Sequence, residues 1–420
     1  MLRISLIALL AAGALSSAAH ADCSAVSGIS AGDTVTCDAV SVLDGPDAVE
    51  TRGIEDGSDD ITINVLTGAV LDTTGNGDRT INLKDSANST VTNDGTILSG
   101  DEGIQGGDAL KVINRGLVEA VEKAIDANGD DVEVENAAGA RITSSTNEGI
   151  ETGDGAKIVN FGIVEAFDDA IQMGEDAVIE NYGIIRNTQL DADIVGDVEA
   201  QDAIDIDSGT VRNFAGAEIT SRTNAAIDFD PGAGPSLIEN AGLIAGTLAV
   251  TVDEADDAAQ EIVNSGILQG SSGVAVDLGM GDDMVALKAS SIVMGDILLG
   301  DDADMLIFEG TGFAGLSGAD LYSGGDDLDM VIFADFAAMD IFDVVVSGLN
   351  VELSLLSGGD SLEVTLTQFE QFKFGTGSTQ TVLGFEDLVE LAAIPLPAAG
   401  LLLLGGLGLL GAARSRRIRA

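Results

Sequence analysis

Carboxylates dominate the chemistry open to this chain. Its 420 residues hold 71 Asp and Glu against 18 Lys and Arg, a formal net charge of −53. Paired carboxylates can serve as acid and base on a glycosidic bond, and clustered ones can cage a hard divalent cation. Arg115, Arg141, Arg186, Arg212 and Arg222 recur along the middle of the chain and could meet an anionic sugar. Other chemistry is scarce. The one histidine, His20, lies in a segment expected to be removed, which leaves no imidazole for catalysis or metal binding. Trp is absent and Tyr occurs twice, so the aromatic platforms usual in sugar clefts are few. No carboxylate pair stands out from the others, and scattered surface arginine is the plainer account of the five. The composition points away from an enzyme.

The charge also limits the partners. All 71 acids but only 13 of the 18 bases lie between Asp22 and Glu390, a net charge of −58 there. A field of that sign repels phosphate backbones and excludes ordinary nucleic-acid binding. With 45% hydrophobic residues the chain can still bury a core, built from small and aliphatic side chains.

The elements that must position these groups are written as a repeat. One phrase recurs as Asn93-Asp94-Gly95-Thr96-Ile97, Asn114-Arg115-Gly116-Leu117-Val118 and Asn160-Phe161-Gly162-Ile163-Val164. It returns at Asn181, Asn240 and Asn264, with looser copies at Asn136 and Asn213 that carry one extra residue before the Gly. Successive Asn residues are 21, 22, 24, 21, 32, 27 and 24 apart. A second phrase, Ala124-Ile125-Asp126 or Ala203-Ile204-Asp205, falls midway, and a short β-branched pair such as Val112-Ile113 precedes each Asn. Three short strands per ~22 residues, with Gly, Asp and Asn at the turns, predict an all-β fold, one rung after another of a parallel β-helix. The bias of parallel crossovers makes it right-handed. At ~4.8 Å per rung, about 11–13 rungs give a rod of ~55 Å.

In this reading Asn93, Asn114, Asn136, Asn160, Asn181, Asn213, Asn240 and Asn264 stack into an amide ladder. The Gly two residues later takes the positive φ of a sharp corner. Residues 189–201 and 230–235 are loops that bud from corners. Nine of the 13 Phe lie at 308–385, too bulky for the slim interior of the earlier rungs, and are expected in a cap that plugs the open end.

The termini read as addresses. Arg3, an apolar stretch from Ile4, and Ala19-His20-Ala21 form a signal peptide cut after Ala21 by signal peptidase. Export places Cys23 and Cys37 in an oxidising compartment, where a bridge between them would be worth roughly 3 kcal/mol; free thiols are the alternative. At the other end, 391–420 contains no acid. Residues 398–413 are Ala, Gly and Leu alone, ~24 Å long as a helix and slightly short of a ~30 Å hydrocarbon core. Arg414, Arg416, Arg417 and Arg419 follow and set the orientation with the body outside. The domains expected are a signal peptide at 1–21, an N-terminal cap at 22–60 and β-helix repeats at 61–277. An acidic continuation with a Phe-rich cap follows at 278–390, then the tail with its transmembrane helix at 391–420.

Three resemblances sharpen this. Ile394-Pro395-Leu396-Pro397-Ala398-Ala399-Gly400, a Leu/Gly span and an Arg cluster resemble the VPLPA-type variant of PEP-CTERM sorting signals, with Ile394 in place of Val. The resemblance implies a transient inner-membrane anchor. An exosortase-type transpeptidase of a Gram-negative bacterium would cut it near Pro395, Leu396 and Pro397 and deliver the body to the cell surface. Asp277-Leu278-Gly279-Met280-Gly281-Asp282-Asp283-Met284-Val285 resembles the calcium-binding nonapeptide of RTX proteins, as do weaker copies ending Asp304-Met305-Leu306 and Asp329-Met330-Val331. A calcium cage needs nonapeptides in direct tandem, whereas Asp283, Asp304 and Asp329 are 21 and 25 apart. That spacing favours solvated turns with loose divalent-ion screening, and no cofactor is expected. Finally, the Asn-x-Gly phrase resembles passenger domains of autotransporters and filamentous adhesins. The resulting expectation is an exported structural or adhesive protein of the cell surface or biofilm matrix, without catalysis, its partners surface polysaccharide or divalent cations. The alternative is a β-helix lyase or hydrolase acting on extracellular polysaccharide.

Overall fold

The computed structural model describes residues 23–24, 28–38, 40–42, 54–55, 57–75, 77–196, 198–230, 234–252, 257–316, 320–376 and 380–393. Ala19, Ala21, Pro395, Leu396, Pro397, Arg414, Arg416 and Arg417 lie outside them, as does the expected membrane segment. Among the described residues no helix is long and apolar enough to cross a membrane.

The chain is an all-β parallel solenoid of about 11 turns. Its strands fall into three columns. The first runs from Thr34–Cys37 through Lys111–Asn114 and Gln260–Asn264 to Gln371–Phe374, every neighbour parallel. The second begins at Val40–Val42 and passes through Leu117–Ala120. The third begins at Ile54–Glu55 and passes through Ile125–Ala127. The coil thus starts within the segment 22–60. Most strands of the regular rungs are three to five residues long, because only two or three side chains fit on each inner wall. Alternation does the rest: Val112, Val118 and Ile125 point inward and are fully buried, while Lys111 and Glu119 between them face solvent. In the last turns the second and third columns fuse, so that Ile267–Asp277 and Ile292–Gly300 each span both walls.

The corners are made differently from the expectation. Gly95, Gly116, Gly162, Gly183, Gly242 and Gly266 all have ordinary negative φ. What demands glycine is closeness. A Cβ on Gly116 would sit 1.9 Å from the Gly95 carbonyl oxygen of the rung before, and one on Gly183 would sit 2.1 Å from that of Gly162. Positive φ falls instead on Gly139 and Gly216 in the two looser copies, where the extra residue must be absorbed. It falls also on Asp60, Asn88, Ala109 and Asp131, each two residues before a first-column strand, at φ between 53° and 60°. Short polar side chains tolerate that region better than others, which explains the Asp and Asn of this corner.

The phenylalanines are a second correction. They line the coil as well as closing it. Phe308, Phe333 and Phe374 occupy one inward position on successive first-column strands, ring centroids 5.3 and 5.1 Å apart, with Phe313 and Tyr322 edge-on to Phe308. The end is closed by antiparallel elements. Strands Ile341–Ser347, Asn350–Ser357 and Asp360–Thr367 form a meander joined to the third column at Leu321–Gly325. Thr381–Gly384 then pairs antiparallel to Gln371–Phe374 and leads into the one described α-helix, Phe385–Ala392, which packs against Ile341–Ser347.

Candidate functional site

One inward position runs the length of the first column. In register it is occupied by Cys37, Val65, the eight asparagines from Asn93 to Asn264, Leu287, Phe308, Phe333 and Phe374. The asparagines form an unbroken ladder. Asn93 Nδ2 donates to Asn114 Oδ1 at 2.9 Å, and each later amide donates to the next at 2.8–2.9 Å as far as Asn264. The second amide hydrogen goes to the backbone of the following rung, as from Asn160 to the Ile184 carbonyl at 3.1 Å. The side-chain oxygen also accepts the N–H two residues on, from Gly162 to Asn160 at 3.1 Å. Every amide is buried with both its nitrogen and its oxygen hydrogen-bonded, as a dry interior requires. At the start of the coil, Cys37 is disulfide-bonded to Cys23, which ties the entering chain to the first rung.

A second inward position lies just before the first-column strands and holds the three aspartates of the RTX-like segment. Asp283 Oδ1 accepts from the Gln260 N–H at 2.6 Å, Asp304 Oδ1 from the Asp283 N–H at 2.8 Å, and Asp329 Oδ1 from the Asp304 N–H at 2.9 Å. Glu370 closes the series on the Asp329 N–H at 2.9 Å. Ser236 and Ser89 do the same for Gly209 and Ile61 in earlier rungs. These carboxyls are therefore corner acceptors, buried against the core. Burial pushes Asp304 up to about 8 and Asp329 to about 6. Among the described residues no three Asp, Glu, His or Cys side chains converge closely enough to hold a metal ion.

The strongest carboxylate arrangement was missed by sequence reasoning. The residue two before the leading isoleucine of six successive third-column strands, Ile81 to Ile204, stacks at the corner between the second and third columns: Arg79, Glu102, Lys123, Glu148, Asp169, Asp202. The first four alternate in sign and pair across rungs, Arg79 Nε with Glu102 Oε2 at 2.6 Å and Lys123 Nζ with Glu148 Oε2 at 3.7 Å. The last two are both acids and both buried. Asp169 Oδ1 accepts from the Asp202 N–H at 2.7 Å, Asp202 Oδ2 accepts from Asn224 Nδ2 at 3.1 Å, and Asp202 Oδ1 has no partner. Burial, then Asp205, pushes Asp169 up to about 8; burial, then Asp228 and Asp169, pushes Asp202 to about 9. Asp205 on the adjacent strand rises to about 6, and Gln172 Nε2 donates to its Oδ2 at 3.3 Å. The signal was present in the phrase, as an alternation of charge that stops; a search for metal and catalytic spacings along the chain does not find it.

Four of the five arginines are engaged in ion pairs, while Arg222 is exposed at a corner. Arg115 pairs with Asp94 at 3.2 Å, Arg186 and Arg141 share Glu165, and Arg212 meets Glu239 at 2.6 Å, all across rungs. Three aromatics also meet. Phe161, Tyr182 and Phe214, each at the middle position of an Asn phrase, stack face to face with centroids 4.7 and 4.0 Å apart. Stacked on one another along the axis, they cover most of the faces a sugar ring would need, so the stack serves rung cohesion.

No family model, curated protein or solved structure matches the chain.

Proposed function

We propose that the chain is an exported rod of the cell surface or extracellular matrix, structural or adhesive in role. The observation that carries this is the destination of the repeated groups. Asn and Asp at repeat positions bond to their own copies one rung away, and Arg to acids of neighbouring rungs, so the repeat builds length and stiffness. The leader at 1–21 and the tail at 391–420 support export by signal peptidase and a transient inner-membrane anchor, cut by an exosortase-type transpeptidase near Pro395–Pro397. The net charge of −53 keeps such rods apart in solution and lets divalent ions bridge them in a matrix. Deleting 391–420 tests this: the protein should be lost from the cell surface to the medium or periplasm, and cell aggregation should fall. Unchanged surface retention overturns the proposal.

A second reading has one observation in its favour. Asp169 and Asp202 are carboxyls held protonated near neutral pH, with Asp205 beside them, and a protonated carboxyl is what a glycosidase uses as its acid. Incubating the full chain with acidic extracellular polysaccharides decides it. Depolymerisation that is abolished in Asp202→Asn establishes this reading and displaces the first.

A further inference from the structure

Among the described residues, the most exposed large apolar side chains gather at the end of the coil that leads into the tail. Among the described residues four large apolar side chains are more than 60% exposed, and three of them, Met339 (89%), Phe342 (68%) and Leu349 (62%), fall within one short stretch. They flank and occupy the strand Ile341–Ser347, whose one described strand partner is Asn350–Ser357. Register slips by a residue between Ile341 and Asp343, and Phe342 stands out at the slip. Val345 and Leu356 of the same meander are about half exposed. In a chain this acidic, whose rungs otherwise place apolar groups inside, such a cluster marks a contact surface.

The position of the chain's exit says what it contacts. The helix Phe385–Ala392 lies against Ile341–Ser347, and the described chain stops at Ala393. Four residues separate Ala393 from the Ala/Gly/Leu segment at 398–413. Fully extended, that link reaches at most about 18 Å. If 398–413 crosses a bilayer, Ala393 is tethered within about 18 Å of its hydrocarbon core, which leaves only about 10 Å beyond a headgroup layer of roughly 5–8 Å. Resting on the anchor reading above, we infer that the Met339–Phe342–Leu349 tip of the cap is seated in the interfacial layer of the bilayer while the tail is in place. The tip's own charges, Asp340 and Asp343, favour a zwitterionic surface over an anionic one. The rod then stands with its last turn on the membrane.

The absence of Trp provides the test. Full-length Phe342→Trp and, as a control on a distant exposed loop, full-length Val195→Trp are reconstituted into phosphatidylcholine vesicles with ordinary or chain-brominated lipid. Flotation reports whether the chain is anchored. The expected result is flotation of both variants, with blue-shifted emission and loss of signal in brominated lipid for Phe342→Trp and neither for Val195→Trp. Flotation with water-like emission from both overturns the inference and leaves the anchor standing. Failure to float removes the anchor reading, and the inference with it. The shift must persist when the chain is diluted below one copy per vesicle; if it disappears, a second copy covers the tip and the inference is overturned.

Discussion

Leu287 lies directly over Asn264 in the first column, and the interior changes character between them. Below this step each rung is tied to the next by an amide; above it Phe308, Phe333 and Phe374 are tied by ring stacking. Asn264 is left with one ladder neighbour, Asn240, and turns its amide hydrogen to its own Gly266 carbonyl at 3.2 Å.

Position in the ladder should therefore set the cost of losing an amide. Asn160→Ala removes one of the two bonds made by Asn136 Nδ2 and one of the two accepted by Asn181 Oδ1, in a dry interior where each unmade bond costs about 1–3 kcal/mol. We expect a loss of about 3 kcal/mol from Asn160→Ala and roughly half that from Asn264→Ala, read from urea midpoints. Equal losses at the two positions would mean that the amides act singly.

Glycine substitutions separate the two reasons for glycine. Gly116→Ala drives a methyl into the Gly95 carbonyl and should cost about 2–3 kcal/mol or disrupt the local rung, as overpacking does. Gly139→Ala has open space around it and only its φ of +83° to resist, so about 1 kcal/mol is expected. Thermal melts of the two variants give the order.

The buried acids make stability depend on pH in an unusual direction. Folding raises Asp169 to about 8 and Asp202 to about 9, so the protonated forms favour the fold. Their contribution is complete below the ordinary Asp value of ~4 and is lost as pH rises through 8 and 9. Asp202→Asn keeps the site neutral, and its melting temperature relative to the parent should rise between pH 5 and pH 9. A difference that stays constant with pH would show that Asp202 is ionised throughout.

Reducing the bridge should loosen one end first. The Cys23–Cys37 loop spans 14 positions, for which roughly 3 kcal/mol is expected. Cys23→Ser with Cys37→Ser should raise hydrogen exchange in Thr34–Cys37 and Thr62–Val65 before it does so near Asn160. Uniform loss across the rod would contradict nearest-neighbour stability.

How much of this was legible in the sequence follows from which signals repeat. The Asn phrase marked both the rung and the register, because its side chain bonds to its own copy one rung away and so must recur at a fixed place. The reason for the glycines was not legible: Asn-x-Gly looks the same whether glycine supplies a positive φ or merely a missing methyl, and only the 1.9 Å approach at Gly116 decides. Nor was the placement of Phe308, Phe333 and Phe374 inside the coil. Nothing in the sequence says that the walls formed by Ile267–Asp277 and Ile292–Gly300 enclose a cross-section able to take rings. The Asp169–Asp202 pair depended on folding altogether, since two groups that share a hydrogen bond are 33 positions apart, with the loop after Asn187 between them.

The amide ladder has a direction: every donor points towards the C-terminal end. A segment excised between equivalent corners and copied would present the same acceptor below and the same donor above, and no bond would be lost at either junction. Overall reach can therefore change in whole steps, by gene duplication or deletion of some two dozen codons, while both ends of the molecule and whatever they hold stay as they are.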